Sequence, residues 1–174
     1  TLVPAGHILG AAGVRLEADG RSVRFTGDLG RQHDPLMHPP RPLEHADVLV
    51  TESTYGDRLH PDQAPEDVLA DVVTRTAKRG GVVLIPAFAV GRTETVLYHL
   101  SRLVESGRIP DIPVYLNSPM AIDAAAIYQR YPQEHRLDAH ALRRMYGLAR
   151  LVLVGSEDAQ ALRLDVFGHG LLAV

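Results

Sequence analysis

The spacing of apolar residues changes period near residue 60, and this change constrains the fold more than any other feature of the chain. From Pro65 onward, short apolar runs alternate with helical stripes. Pro65 to Arg79 carries Val68, Leu69, Val72 and Val73 on one stripe, with Glu66 and Asp67 at its start and Gly80 after its end, as a helix requires. Gly81 to Pro86 is expected to be a buried strand. Thr93 to Ser106 is expected to be a helix with Val96, Leu97, Leu100, Leu103 and Val104 inward, ended by Gly107. A strand at Val114 to Leu116, helices at Met120 to Tyr131 and Ala139 to Tyr146, and a strand at Leu151 to Val154 continue the alternation. Strands that alternate with helices form a parallel sheet with right-handed crossovers.

The earlier part reads differently. Val14, Leu16 and Ala18 alternate with polar residues, as do Val23 and Phe25, and Asp19-Gly20 between them is a two-residue hairpin turn. Arg31 to Arg41 is a Pro-rich loop, and Asp47 to Thr51 is expected to be a short buried strand. The polar, irregular stretch Tyr55 to Ala64 separates two units, placed at 1–60 and 61–174.

Composition narrows the chemistry. With 174 residues, the chain suits one domain or pieces of two. It begins at Thr1 without Met and stops at Val174 just after a strand-like stretch, so a fragment is expected. It has no Cys, which excludes disulfides, thiolate-bound zinc and thiol catalysis. No apolar run is long enough to cross a bilayer, so no membrane partner and a cytoplasmic location are expected. The net charge of −3 excludes a polybasic nucleic-acid clamp, although a focused metal site needs none. Of the 18 basic residues all but Lys78 are Arg, whose planar fork suits phosphate; genome composition gives the same bias.

Functional groups in open α/β sheets gather at strand carboxyl ends. Asp28 follows the second hairpin strand, in Thr26-Gly27-Asp28-Leu29-Gly30, and Glu52 follows Val48-Leu49-Val50. His7 precedes the first hairpin strand, in Ala5-Gly6-His7-Ile8-Leu9-Gly10. The turn at Asp19-Gly20 puts His7 and Asp28 together at the open end, where imidazole and carboxylate are half of a metal site. Taken singly, His7 also reads as an ordinary loop histidine, Asp28 as a turn former and Glu52 as an acceptor of backbone hydrogen bonds. His33, His38, His45 and His60 lack ligand spacing and read as solvated.

Two later turns open helices. In Pro86-Ala87-Phe88-Ala89-Val90-Gly91-Arg92-Thr93, free amides and Arg92 can hold a phosphate, or Thr93 can simply cap the helix. In Asn117-Ser118-Pro119-Met120, Ser118 can cap the next helix or meet a substrate. No P-loop or dinucleotide glycine motif is present.

Five ordered motifs resemble one family. They are Ala5-Gly6-His7-Ile8-Leu9-Gly10, Thr26-Gly27-Asp28-Leu29-Gly30-Arg31, Glu52-Ser53-Thr54-Tyr55-Gly56-Asp57-Arg58, Ile85 to Arg92, and Val114 to Ala121. The chain is similar, over roughly Thr1 to Leu162, to metallo-β-lactamase-fold nucleases with an inserted β-CASP domain, in their RNA-processing branch. Asn117 stands where the family commonly has Asp, and Arg163 to Val174 does not resemble the family's continuation.

The resemblance implies an α/β chain in which 1–60 is the C-terminal part of a metallo-β-lactamase-like half, a β-hairpin and strand. Residues 61–174 would be the first part of a parallel-sheet β-CASP-like unit, both units being incomplete. It implies two zinc ions, with His7 as one ligand and Asp28 as the bridging carboxylate. Glu52 would be the acid that positions a histidine for leaving-group protonation; Arg92 and Ser118 are expected to contact substrate from their places at the two helix-opening turns. Two zinc ions would activate water for phosphodiester hydrolysis, with RNA the expected substrate and DNA an alternative. The family's His-x-His-x-Asp-His motif and its later histidine motifs are absent from this chain, and His169 is not in their context. The isolated chain is therefore expected to be inactive. A non-catalytic RNA-processing scaffold and a metallo-hydrolase of small molecules are the competing readings; a homo-oligomer is left open.

Overall fold

The computed structural model describes residues 1–42, 44–59 and 61–148, together with the backbone of 151–153 and 171–173. The chain divides into two compact units, Thr1–Pro61 with Tyr131–Leu137, and Asp62–Arg130 with Asp138–Val174. The stretch 131–137 thus groups with the first unit rather than with its sequence neighbours.

The first unit is a mixed sheet in the order β1 (Leu2–Pro4), β2 (Ala12–Ala18), β3 (Arg21–Phe25), β4 (Val48–Val50). The β1–β2 and β2–β3 pairs are antiparallel and β3–β4 is parallel. The β2–β3 turn has φ of 50° at Asp19 and 70° at Gly20, the positive pair that a tight hairpin turn needs to match strand twist. Asp47 fixes where β4 begins. Its Oδ2 accepts the Ser22 N–H at 2.6 Å and the Ser22 hydroxyl at 3.0 Å, which holds the Asp47 carboxyl below its ordinary range.

Register decides which side chains share a face. Leu2, Val14, Phe25 and Val50 lie opposite one another in turn, as do Leu16, Val23 and Val48. One face of the sheet is therefore wholly apolar at these positions, yet Leu2 is 71% exposed and Leu16 55%. Val48, Leu49 and Val50 are 46–51% exposed, so the strand expected to be buried is not. It is an edge strand. The opposite face holds the buried polar row Ser22, Arg24 and Thr26. Within the same unit, Leu36 and Met37 are buried, Met37 bridges to His135, and the Leu36 carbonyl accepts the Arg136 N–H at 2.6 Å.

The second unit alternates α1 (Pro65–Lys78), β5 (Val82–Leu84), α2 (Arg92–Glu105), β6 (Val114–Leu116), α3 (Pro119–Arg130), α4 (Ala139–Tyr146), β7 (Leu151–Leu153) and β8 (Leu171–Ala173). Its strands are all parallel in the order β5-β8-β6-β7. The parallel crossover expectation therefore holds for β5, β6 and β7. β8, the strand-like stretch expected just before Val174, enters between β5 and β6, a place the sequence did not signal because an isolated apolar triplet carries no pairing information. β5 is half-buried, with Leu84 73% exposed, instead of buried throughout. Val154, His60 and His169 lie outside the described residues.

Local chemistry explains the helices. α1 has Pro at its first turn with Glu66 and Asp67, basic Arg75 and Lys78 in its last turn, and Gly80 at φ 68° beyond it. α4 is capped by Asp138, whose Oδ1 accepts the Ala141 N–H at 2.6 Å. The core joins Leu97, Leu100 and Leu103 of α2 to Ala121, Ala124 and Tyr128 of α3, Met145 of α4 and Leu116 of β6, all at most 5% exposed. On the surface, Glu66 Oε1 meets His99 Nδ1 at 3.1 Å and Arg102 Nε at 3.0 Å, linking α1 to α2. No described helix is long and apolar enough to cross a membrane.

Candidate active site

The β2–β3 hairpin returns the chain so that loops 5–11 and 26–31 meet at its open end. Backbone contact makes the meeting close. The Gly30 N–H donates to the Ala5 carbonyl at 2.9 Å, and a Cβ on Gly30 would collide with the Gly6 and His7 backbone. Gly6 has φ of 67°, and a Cβ there would come within 2.5 Å of the His38 carbonyl. Glycine at both positions is a condition of the site.

His7 Nε2 comes to 4.0 Å from Asp28 Oδ2, with side chains 46% and 75% exposed. Nitrogen and oxygen bonds to zinc are each about 2.0–2.2 Å, which puts neighbouring ligands of a tetrahedral ion about 3.4 Å apart, so a shared cation would draw these two exposed side chains slightly together. The donor set of imidazole and carboxylate fits zinc, and it supplies two of the three protein ligands that a catalytic zinc takes. No group of three His, Asp or Glu side chains able to hold a metal occurs among the described residues.

Glu52 lies beside this pair. Its Oε1 accepts the Leu29 N–H at 3.0 Å and its Oε2 the Thr54 N–H at 3.2 Å. The Glu52 N–H in turn donates to Thr26 Oγ1 at 3.3 Å. These bonds, the Leu29 amide first, hold the Glu52 carboxyl below its ordinary range, and His7 adds to the effect. Glu52 therefore does what its plainer sequence reading allowed: it accepts backbone N–H groups and so anchors the residue after Asp28. His33, His38 and His45 are exposed.

The two helix-opening turns of the second unit are organised by side chains. Thr93 is not the cap of α2. Gly91 holds that position, and Thr93 lies inside the helix with its N–H and hydroxyl both donating to the Phe88 carbonyl, at 3.2 and 2.9 Å. The Thr95 hydroxyl donates to the Gly91 carbonyl at 2.8 Å. Arg92, the first residue of α2, is exposed and makes no ion pair with any described residue. Ser118 caps α3, its Oγ accepting the Ala121 N–H at 3.3 Å.

One group was not singled out by sequence. Glu94 is fully buried, and its Oε2 accepts the Gly91 N–H at 2.7 Å. Its position three residues after the cap was the signal available. An open cleft of about 560 Å³ in this unit is lined by Glu66, Arg102, Glu105 and Arg108 among others. Its guanidinium groups are already paired with carboxylates: Arg102 with Glu66, Arg108 with Asp67, Arg144 with Glu105.

Comparison with known proteins adds a different kind of observation. Residues 93–166 match the Beta-Casp domain family. The chain is 36% identical over 131 residues to an RNase J-like protein of Methanocaldococcus jannaschii, covering 73% of this chain and 31% of the relative. It is 38% identical over 127 residues to Ribonuclease TTHA0252 of Thermus thermophilus, covering 72% of this chain and 29% of that protein. It is also 38% identical over 130 residues to Cleavage and polyadenylation specificity factor 73 of Drosophila melanogaster, covering 73% and 19%. The aligned part thus spans less than a third of the length of these relatives.

Proposed function

We propose, for a chain that belongs to the β-CASP family, that the full protein is a zinc-dependent nuclease that processes RNA by hydrolysing phosphodiester bonds. The observation that carries this reading is the 4.0 Å approach of His7 Nε2 to Asp28 Oδ2 in a chain so similar to named ribonucleases. The exposed apolar face of β1–β4 supports reading residues 1–60 as part of a metallo-β-lactamase-like half, because such a sheet face needs a second packed layer.

His7 Nε2 and Asp28 Oδ2 are the atoms that would hold zinc. Zinc ions, when bound, would supply Lewis acidity toward the phosphate and a nucleophile at neutral pH. This chain's residues do the rest of their work by position. Gly30 lets the two ligand loops touch, and Gly6 makes room for the backbone of residues 38–40. Glu52 acts through backbone, fixing Leu29 and with it the loop that carries Asp28. It is a positioning residue in this reading, acting on the loop that carries Asp28. Arg92 supplies a charged fork at the start of α2, where backbone amides favour an anion, and so orients a phosphate of the substrate. Ser118, while capping α3, presents its hydroxyl at the next helix-opening turn as a second polar contact.

The test is metal analysis of the purified full protein together with cleavage of an end-labelled single-stranded RNA, with and without chelator. Bound zinc and chelator-sensitive cleavage are expected. A protein that binds the RNA without metal and without cleaving it is a scaffold, and one that cleaves the matching DNA but not the RNA has a different substrate; either outcome overturns the proposal.

A further inference from the structure

We propose that Glu94 acts as a neutral carboxylic acid and is a positioning residue, clamping Gly91 so that the turn of residues 86–92 presents Arg92 in one orientation. The proposal rests on the reading of Arg92 as a phosphate contact.

The turn is held by three successive side chains from the first turn of α2. Thr93 holds the Phe88 carbonyl, Thr95 holds the Gly91 carbonyl, and Glu94 holds the Gly91 N–H. Only Glu94 reaches an N–H that the helix itself leaves without an acceptor. Gly91 has φ of 81° and ψ of −56°, a conformation that other residues rarely adopt, so the backbone bends sharply just before Arg92. A bond that fixes Gly91 fixes the direction in which Arg92 leaves it.

The environment of Glu94 decides its charge. The residue is completely buried, and its Oε1 has no hydrogen-bond partner among the described residues. Near it is the Tyr146 hydroxyl of α4, also buried and also without a hydrogen-bond partner among the described residues. Tyr128 of α3 is the other titratable group that faces Tyr146, and it is almost fully buried. No arginine, lysine or histidine pairs with Glu94 among the described residues. An anionic oxygen in this setting would be desolvated with no cation to offset the cost. Desolvation accordingly raises the Glu94 carboxyl above its ordinary range, against the opposing pull of its own backbone amide and that of Gly91. Burial likewise pushes the Tyr146 phenol up, with Glu94 the next cause, so the surroundings favour the neutral form of both groups. A protonated Glu94 keeps Oε2 as acceptor for the Gly91 N–H.

Glutamine preserves this arrangement and alanine removes it. The experiment compares wild-type full protein with Glu94→Gln, Glu94→Ala, Arg92→Ala and the Arg92→Ala/Glu94→Ala double variant. It measures binding of a short single-stranded oligouridylate in chelator over a range of pH, and hydrogen exchange at the Gly91 amide. Glu94→Gln should bind within about twofold of wild type and keep Gly91 protected, since an amide oxygen accepts as a carboxylic acid does. Glu94→Ala should weaken binding as much as Arg92→Ala does, with the double variant no weaker than either, because the two act as a unit. Wild-type binding should fall as pH rises and Glu94 ionises, while Glu94→Gln should lack that step. Additive losses in the double variant, an identical pH profile for wild type and Glu94→Gln, or loss of Gly91 protection in Glu94→Gln would each overturn the clamp. If Arg92→Ala leaves binding unchanged, the phosphate reading of Arg92 fails and the proposed presentation of Arg92 fails with it. Gly91 exchange that is then fast in Glu94→Ala and slow in Glu94→Gln would locate the failure in the Arg92 reading alone.

Discussion

His7 Nε2 and Asp28 Oδ2 approach to 4.0 Å across two loops that share no strand, and the bare backbone of Gly30 lets those loops close on each other. With Asp28 75% exposed, its side chain contributes little to packing. Asp28→Ala in the full protein should therefore leave the melting temperature nearly unchanged. Cleavage should fall by more than about a hundredfold, beyond the roughly 10–100-fold cost of changing an outer partner of a metal ligand. Zinc analysis and RNA cleavage of the same preparation check both halves, and full activity in the variant would mean that the site lies elsewhere.

The loop contact makes a separate demand. Gly30→Ala puts a Cβ into the Gly6 and His7 backbone, which cannot yield as a flexible side chain would. Overpacking of this kind costs about 1–3 kcal/mol, and here the strain would be relieved by parting the two loops. We expect lower stability in denaturant melts together with lost zinc affinity. A variant with unchanged zinc affinity would show that the loop contact does not assemble the site.

Glu52 links the site to pH. Its carboxyl is held below the ordinary value of 4.5, with the Leu29 amide the largest cause. A lowered folded-state pKa means stability that is present above the unfolded value and lost as pH falls through the folded one. Wild type should thus lose stability on acidification below about pH 4.5 in a way that Glu52→Gln does not, the two curves converging in acid. At neutral pH, Glu52→Gln should retain zinc close to the wild-type level and cleave more slowly, because the carboxylate acts through the Leu29 backbone. Melts across this pH range, with metal analysis, decide the matter; a variant that has lost its zinc would make Glu52 a ligand.

Ligand count gives the last expectation. The 174-residue chain supplies His7 and Asp28 and no group of three ligands among its described residues. It should bind zinc weakly and should not hydrolyse RNA, since most of the coordination shell is left to water. Titration calorimetry with zinc and a cleavage assay test this directly. Tight zinc binding with turnover by these residues alone would assign the chemistry to other side chains.

Much of this is legible in the sequence. Period-two alternation around Asp19-Gly20 specifies a hairpin, and the hairpin by itself carries His7 and Asp28 to the same end. The α1 and α4 boundaries follow from Pro65, Gly80, Asp138 and Gly147, whose effects are local. Thr93 can be read as a cap because threonine favours that position in general. Here Gly91 reaches a positive φ that threonine does not, and so takes the position itself.

The sequence by itself determined the alternation of strands and helices, the hairpin and the motifs that carry His7, Asp28, Glu52 and Arg92, because each depends on neighbours a few positions away. Tertiary structure alone decided burial and partnership. Val48, Leu49 and Val50 read as a core strand until the sheet order put them at an edge. β8 could be placed between β5 and β6 only by long-range pairing, since three apolar residues carry no address. Glu94 looks like any helix-opening acid in sequence. It becomes a buried, half-satisfied carboxyl only because α2 packs its first turn inward, and desolvation depends on what surrounds a group in space rather than on what precedes it in the chain.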